Sequence, residues 1–245
     1  MRLAVCSTQN NGKTTLVEAF KKNWPMYKSP EKTYRDLIKE KGLNINRQGD
    51  VESQAIIRDA LFEQAHQMAD EKFSIVDRNM LDNMVYSMYL AQKELDSSAH
   101  IEDEDERDQM VKFSTDFISE SIKMCREAMR KCDIIFWLPL NSGIKLDDIT
   151  NPNRDTDAQF RIEIDNIFQS IYQTYQQTGT CLFFDPTDQP AIIPLQGDLA
   201  EKLQTIAEYL GEDGNLVEEE SILASLEQEY DKLQLLNEFQ ATIKK

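Results

Sequence analysis

Four short apolar runs punctuate the chain: RLAVC at Arg2–Cys6, FSIVD at Phe73–Asp77, DIIFWLPL at Asp133–Leu140 and TCLFFD at Thr180–Asp185. Runs of this length, rich in β-branched and aromatic residues and continuous rather than alternating, predict parallel strands covered on both faces. A weaker run, Met26–Ser29 ahead of Pro30, supplies a fifth. Between the runs, apolar residues recur at helical spacing over Lys13–Lys22, about Lys32–Lys41, Val51–Asp70, Leu81–Glu94, Thr115–Lys131 and Thr156–Gln176. In the last of these, Phe160, Ile164, Ile167, Phe168, Ile171, Tyr172 and Tyr175 share one face. Strands alternating with helices predict an α/β fold with a parallel sheet and right-handed crossovers. Ligands of such sheets bind beyond the carboxyl ends of the strands.

Two stretches stand outside this rhythm. Residues 97–108 and 212–220 are polar and charged, which predicts mobile segments. Beyond the second, Ile222, Leu226, Tyr230, Leu233, Leu236 and Phe239 recur every three or four residues, marking one apolar stripe on a helix of about six turns. The stripe fits either the core of its own chain or a second copy in a homodimer.

Composition narrows the classes. The 245 residues are 40% hydrophobic and include 11 Phe, 8 Tyr and 2 Trp, enough core material to exclude disorder throughout. The longest apolar run, Ile134–Leu140 with Pro139 inside it, falls far short of the roughly 20 residues of a membrane span. The opening residues turn polar after six, unlike a secretory leader. Cys6, Cys125, Cys132 and Cys181 form no CxxC pair, and His66 and His100 lie far apart. That usage predicts free thiols in a reducing cytoplasmic compartment and no structural zinc.

The formal net charge of −17 argues against a polyanionic partner until its distribution is read. Residues 1–91 carry 13 basic and 12 acidic side chains, residues 92–108 carry 2 and 8, and residues 196–245 carry 4 and 12. The acidity therefore sits in one insertion and one tail, leaving the N-terminal third open to phosphate.

That third holds the most informative segment. After the RLAVC strand comes Ser7-Thr8-Gln9-Asn10-Asn11-Gly12-Lys13-Thr14-Thr15 and then a helix. This is the phosphate-loop pattern GxxxxGK[ST] with Ser7 in place of the first glycine, in the strand–loop–helix setting the motif requires. Backbone N–H groups of Asn10 to Thr15 would cradle phosphates at the helix N-terminus, Lys13 would reach the β and γ oxygens, and the Thr14 hydroxyl would ligate Mg²⁺. The FSIVD run ends in Asp77, placed to hold the Mg²⁺ or its water shell. Arg78 follows, suited to hold a second phosphate through a bidentate bond. After DIIFWLPL, a Pro- and Asn-rich loop bearing Arg154 leads into a helix bearing Arg161, an arrangement that supplies cations and a cover against water.

These segments resemble the nucleoside and nucleotide kinase branch of the phosphate-loop NTPases. Within it the chain is most similar to the ribosylnicotinamide-kinase-like family, many of whose members are encoded by bacteria and phages. The carrying residues are Asn11 to Leu16, Val76 to Ser87, Arg154 to Asp157 and Phe160 to Asp165. The resemblance implies a five-stranded parallel sheet in the order 2-3-1-4-5 and a kinase domain over residues 1–210 with a lid near 141–161; the acidic linker and amphipathic helix over 211–245, like the missing first glycine and the acidic insertion near 97–108, depart from it. It implies ATP and Mg²⁺ as cofactors and an acceptor cleft between the ends of the second and third strands. A carboxylate after the second strand often activates the acceptor hydroxyl in such kinases, and Glu31 matches that place, with Tyr34 and Arg35 behind it. Gln54 and Arg58 are acceptor contacts by position.

The expected activity is transfer of the γ-phosphoryl group of ATP to a nucleoside or nucleoside monophosphate, with Glu31 or Asp77 accepting the hydroxyl proton. Two other functions stay open: an ATPase switch with a protein partner reached through the C-terminal stripe, and a kinase of a hydroxyl carried in DNA. The second would need a basic surface, and the chain offers only Arg126, Arg130 and Lys131 as a cluster.

Overall fold

The computed structural model describes residues 1–43, 49–140 and 158–217. In chain order they form β1 (Arg2–Cys6), α1 (Lys13–Asn23), α2 (Tyr34–Lys41), α3 (Val51–Met68), β2 (Ser74–Asp77), α4 (Met80–Ser98), α5 (Glu104–Met129), β3 (Ile134–Trp137), α6 (Ala158–Thr178), β4 (Ala191–Pro194) and α7 (Leu199–Tyr209). Among them no helix is long and apolar enough to cross a membrane.

The sheet is parallel, in the order β2-β1-β3-β4. Each strand alternates between two apolar cores. Leu3, Val5, Ile134, Phe136 and Ile193 face α1 and α7, where Leu16, Phe20 and Ile206 pack on them. Ala4, Cys6, Ile135, Trp137 and Ile192 face the other way, under Met84, Cys125, Phe160 and Ile164 of α4, α5 and α6. Burial on both sides explains why the strands read as unbroken apolar runs. Arg2 bonds Asp133 at 2.6 Å, pinning the starts of β1 and β3 together.

The sheet has four strands, not five. Met26–Ser29 makes only a single parallel bridge, Lys28 to Ser74, with Lys28 N donating to Phe73 O and its own carbonyl accepting from Ile75 N. Pro25 and Pro30 bracket this run and withhold backbone donors, which stops the ladder after one rung. The bridge lies beside β2, where the 2-3-1-4-5 order placed a strand. The expected strand at Thr180–Asp185 is a second correction: this segment folds into turns, Phe184 N donating to Cys181 O. Cys181, Phe183 and Phe184 are buried without being extended, and Leu182 is exposed. The pairing partner of β3 is Ala191–Pro194 instead, an edge strand and so able to carry a proline.

The acidic stretch 97–108 is mostly helical, contrary to expectation. α4 runs on to Ser98 and α5 starts at Glu104, capped by the Asp103 carboxylate accepting from Glu106 N at 3.0 Å. Glu104, Asp105 and Glu106 occupy the first turn, where negative charge meets the positive helix end. The two helices pack as an antiparallel pair, joined by the Ser114 hydroxyl to Glu94 at 2.8 Å.

The segment expected to be a mobile linker begins as part of the core. Trp24 Nε1 donates to Gly211 O at 2.9 Å, the buried Tyr27 hydroxyl donates to Gly214 O at 2.7 Å, and Val217 N returns to Tyr209 O. Ending the chain at Leu210 removes both acceptors and uncovers the Trp24 and Tyr27 rings that the segment packs on. The expected result in thermal unfolding is a Tm at least 5 °C below that of a chain ending at Val217. The apolar stripe from Ile222 to Phe239 lies outside the described residues.

Candidate active site

The carboxyl ends of β1 and β2 lie side by side, with Val5 in register with Asp77, and they bring the phosphate loop with Lys13 and Thr14 next to Asp77 and Arg78. Residues Ser7 to Gly12 carry the chain from β1 into α1. The turn needs two left-handed residues, Asn10 at φ 55° and Gly12 at φ 79°. Asparagine tolerates that region and glycine enters it without strain. Gly12 also caps α1, its carbonyl accepting from Leu16 N at 2.9 Å. Asn11 is buried and fixes the far side of the loop, its amide donating to Leu138 O at 2.7 Å and Pro139 O at 3.3 Å.

Lys13 is buried and folded back over the loop. Its ammonium donates to Ser7 O at 2.8 Å, Thr8 O at 2.9 Å and the Ser7 hydroxyl at 3.1 Å. Burial, with Arg78 nearby, lowers its pKa to about 8, against the opposing pull of Asp82 and Asp77. The Asp82 carboxylate, only 1% exposed, stands 4.0 Å from the ammonium and accepts from Ser7 N at 3.4 Å and Asn79 N at 3.3 Å. Burial pushes its pKa up, while Lys13 and Arg78 hold it back. The sequence reading missed Asp82. Its signal was the Asn79-to-Asp82 spacing, a capping box at the start of α4.

Thr14 Oγ1 donates to Asp77 Oδ2 at 2.5 Å. A hydroxyl and a carboxylate in contact are the hard oxygen donors that suit Mg²⁺. Among the described residues no cluster of three or more His, Cys, Asp or Glu could enclose a metal. An ion here would complete its shell from phosphates and water, as Mg²⁺ does. The donor set therefore fits the group.

Arg78 adopts φ 85°, a left-handed conformation costly for an arginine. Its guanidinium lies 4.3 Å from the ring centroid of Tyr34 on α2 and 5.3 Å from that of Tyr86 on α4. No described carboxylate pairs with it. With phenol rings against it, the N–H edge is what remains for directional bonds to an oxyanion. The Tyr86 hydroxyl, raised to about 12 by burial and so protonated, donates to Gln9 Oε1 at 2.7 Å.

Arg161 on α6 reaches the loop directly, Nη2 donating to Asn10 O at 3.3 Å. Four residues on, Asp165 accepts from Leu140 N at 3.1 Å. α6 is thereby docked on both the phosphate loop and the chain after β3. Arg154 and residues 141–157 of the expected lid lie outside the described residues.

On the acceptor side the placements diverge. Glu31 is exposed, just before α2. Arg35 lies on α2. Gln54 is buried on α3, its side-chain and backbone oxygens both accepting from Asn83 Nδ2 on α4. Arg58 is engaged elsewhere: it bonds Asp59, Glu120 and Ser121 and lies 5.4 Å from the centroid of Phe117, tying α3 to α5.

A parallel sheet with a strand–loop–helix cradle on β1, a lysine and threonine opening the helix, and an aspartate ending the adjacent strand define the P-loop NTPase fold. The family model described as AAA domain matches residues 8–183, and the chain belongs to that family. Among solved structures, deoxyadenosine kinase from M. mycoides, with the products dCMP and a flexible dCDP bound, aligns with a TM-score of 0.55 at 12% identity, over 85% of this chain and 97% of that one. NadR in complex with NR aligns with a TM-score of 0.51 at 12% identity, over 89% of this chain and 53% of that one. The chain thus spans about half the length of NadR. At these identities the likeness is one of fold. No curated protein sequence matches the chain.

Proposed function

We propose that the chain is an ATP-dependent kinase that transfers the γ-phosphoryl group to a nucleoside or a nucleoside monophosphate. One observation carries this reading: the phosphate loop with Lys13, the Thr14–Asp77 contact and the stacked Arg78 share one end of two adjacent strands. A donor nucleotide on the loop and an anion on Arg78 would face each other there. The fold shared with a deoxyadenosine kinase over nearly its whole length supports it.

Backbone N–H groups from Asn10 to Thr15 hold the nucleotide phosphates, and Lys13 leaves its resting partners to meet the β and γ oxygens. Thr14 and Asp77 hold Mg²⁺, which when bound neutralises phosphate charge. Arg161, and Arg154 from the lid, add positive charge where negative charge spreads in transfer. The acceptor oxygen bonds to the γ phosphorus as the bond to the bridging oxygen breaks and ADP leaves. With Asp77 committed to Thr14, the proton of a hydroxyl acceptor goes to Glu31. A phosphate acceptor needs no base and is clamped by Arg78 and Arg35. Gln54 faces the acceptor beside α4.

An ADP-release screen over nucleosides and nucleoside monophosphates tests the reading. At least one acceptor is expected to raise ADP release tenfold or more over ATP alone. A rate unchanged by every acceptor contradicts it.

A further inference from the structure

Among the loop residues without a part in the transfer, Gln9 carries an unpaired buried donor: it is 5% exposed, and its amide nitrogen has no partner among the described residues. A buried N–H group without a partner costs about 1–3 kcal/mol, so such a group in a functional loop points to a ligand oxygen. Oε1 accepts from the Tyr86 hydroxyl at 2.7 Å and from Thr8 Oγ1 at 3.4 Å, which leaves Nε2 as the donor without a partner among the described residues. The side chain is bonded to Tyr86 on α4, the ring against which Arg78 lies. The amide of Asn79, next to Arg78, is the other buried donor there without a partner among the described residues.

From this geometry we infer that Gln9 binds the acceptor, its Nε2 donating to an acceptor oxygen held against Arg78, with Tyr86 as the residue that positions the amide. The inference rests on the kinase reading and adds an acceptor contact supplied by the phosphate loop itself. Its ligand is an oxygen with free lone pairs, on a phosphate or a sugar.

The test is steady-state kinetics of the full chain and of Gln9→Glu, Gln9→Met and Tyr86→Phe, varying ATP and the acceptor separately. Gln9→Glu keeps an oxygen for the Tyr86 hydroxyl but exchanges the donor for a negative charge, and Gln9→Met removes the donor without adding charge, so an acceptor-specific loss shared by both variants reads the missing donor. The expected result is a loss of at least 30-fold in kcat/KM for the acceptor, with KM for ATP within threefold and Tm nearly unchanged. Tyr86→Phe is expected to raise the acceptor KM by a smaller factor. A loss seen with monophosphates identifies a phosphate oxygen, and a loss seen with nucleosides identifies a sugar oxygen; either supports the contact. If Gln9→Glu does not fold, Gln9→Met, which also lacks the donor, is expected to show the same acceptor-specific loss. Unchanged acceptor kinetics, or equal losses for ATP and acceptor, overturn the inference while the kinase reading stands. A wild-type chain with no acceptor-dependent turnover overturns both.

Discussion

Lys13→Ala is expected to lower kcat by about 10³-fold or more, with the fold retained. The ammonium is the one cation built into the loop itself, and donors aimed at developing negative charge are each worth about 10²–10³ in rate, more when they are cationic. The substitution also removes the charge facing Asp82, whose carboxyl already sits high through burial and can take up a proton in place of its partner. That relief limits the cost to stability. Thermal unfolding beside single-turnover kinetics checks both halves, and retention of more than a tenth of the wild-type rate would remove Lys13 from the chemistry.

The second large effect belongs to Asp77. In Asp77→Asn an amide oxygen still accepts from Thr14 Oγ1, so the contact between loop and strand persists while the anionic ligand is lost. Turnover is expected to fall about 10²-fold at millimolar Mg²⁺, with partial recovery at higher concentration. A titration of rate against Mg²⁺ reads this directly. An unchanged midpoint would mean that Asp77 holds Thr14 and nothing else.

The nucleotide half of the site was legible because phosphate chemistry depends on short-range spacing. Gly12, Lys13 and Thr14 open a helix, Asp77 ends a strand, and the register of β1 on β2 brings them together without help from distant residues. The acceptor half depends on tertiary placement, which spacing does not encode. Arg58 read as an acceptor contact by its position on α3, but α5 supplies Glu120 and Ser121 to hold it. Tyr86 and Gln9 carried no motif of their own, and the capping box of Asp82 marks a helix start rather than a partner of Lys13; the close packing of α4 beneath the loop brings all three to the site.

In the sheet, the misread last strand shows how burial can stand in for extension. TCLFFD is apolar because it is buried, and burial does not require extension: Cys181, Phe183 and Phe184 fill the core from turns. The strand that pairs with β3 is AIIP, short and ending in Pro194, which an edge position tolerates. The acidic stretch 97–108 misled in the opposite direction, since its charges are a solvated helix start.

The central claim is that the γ-phosphoryl group leaves ATP for a nucleoside or nucleotide acceptor. The most direct measurement follows γ-labelled ATP with the acceptors of the screen in wild type and Lys13→Ala. The account predicts label on the acceptor with wild type and none with the variant. Label recovered only as inorganic phosphate, at a rate that no acceptor alters, would contradict it and leave an ATPase in place of a kinase.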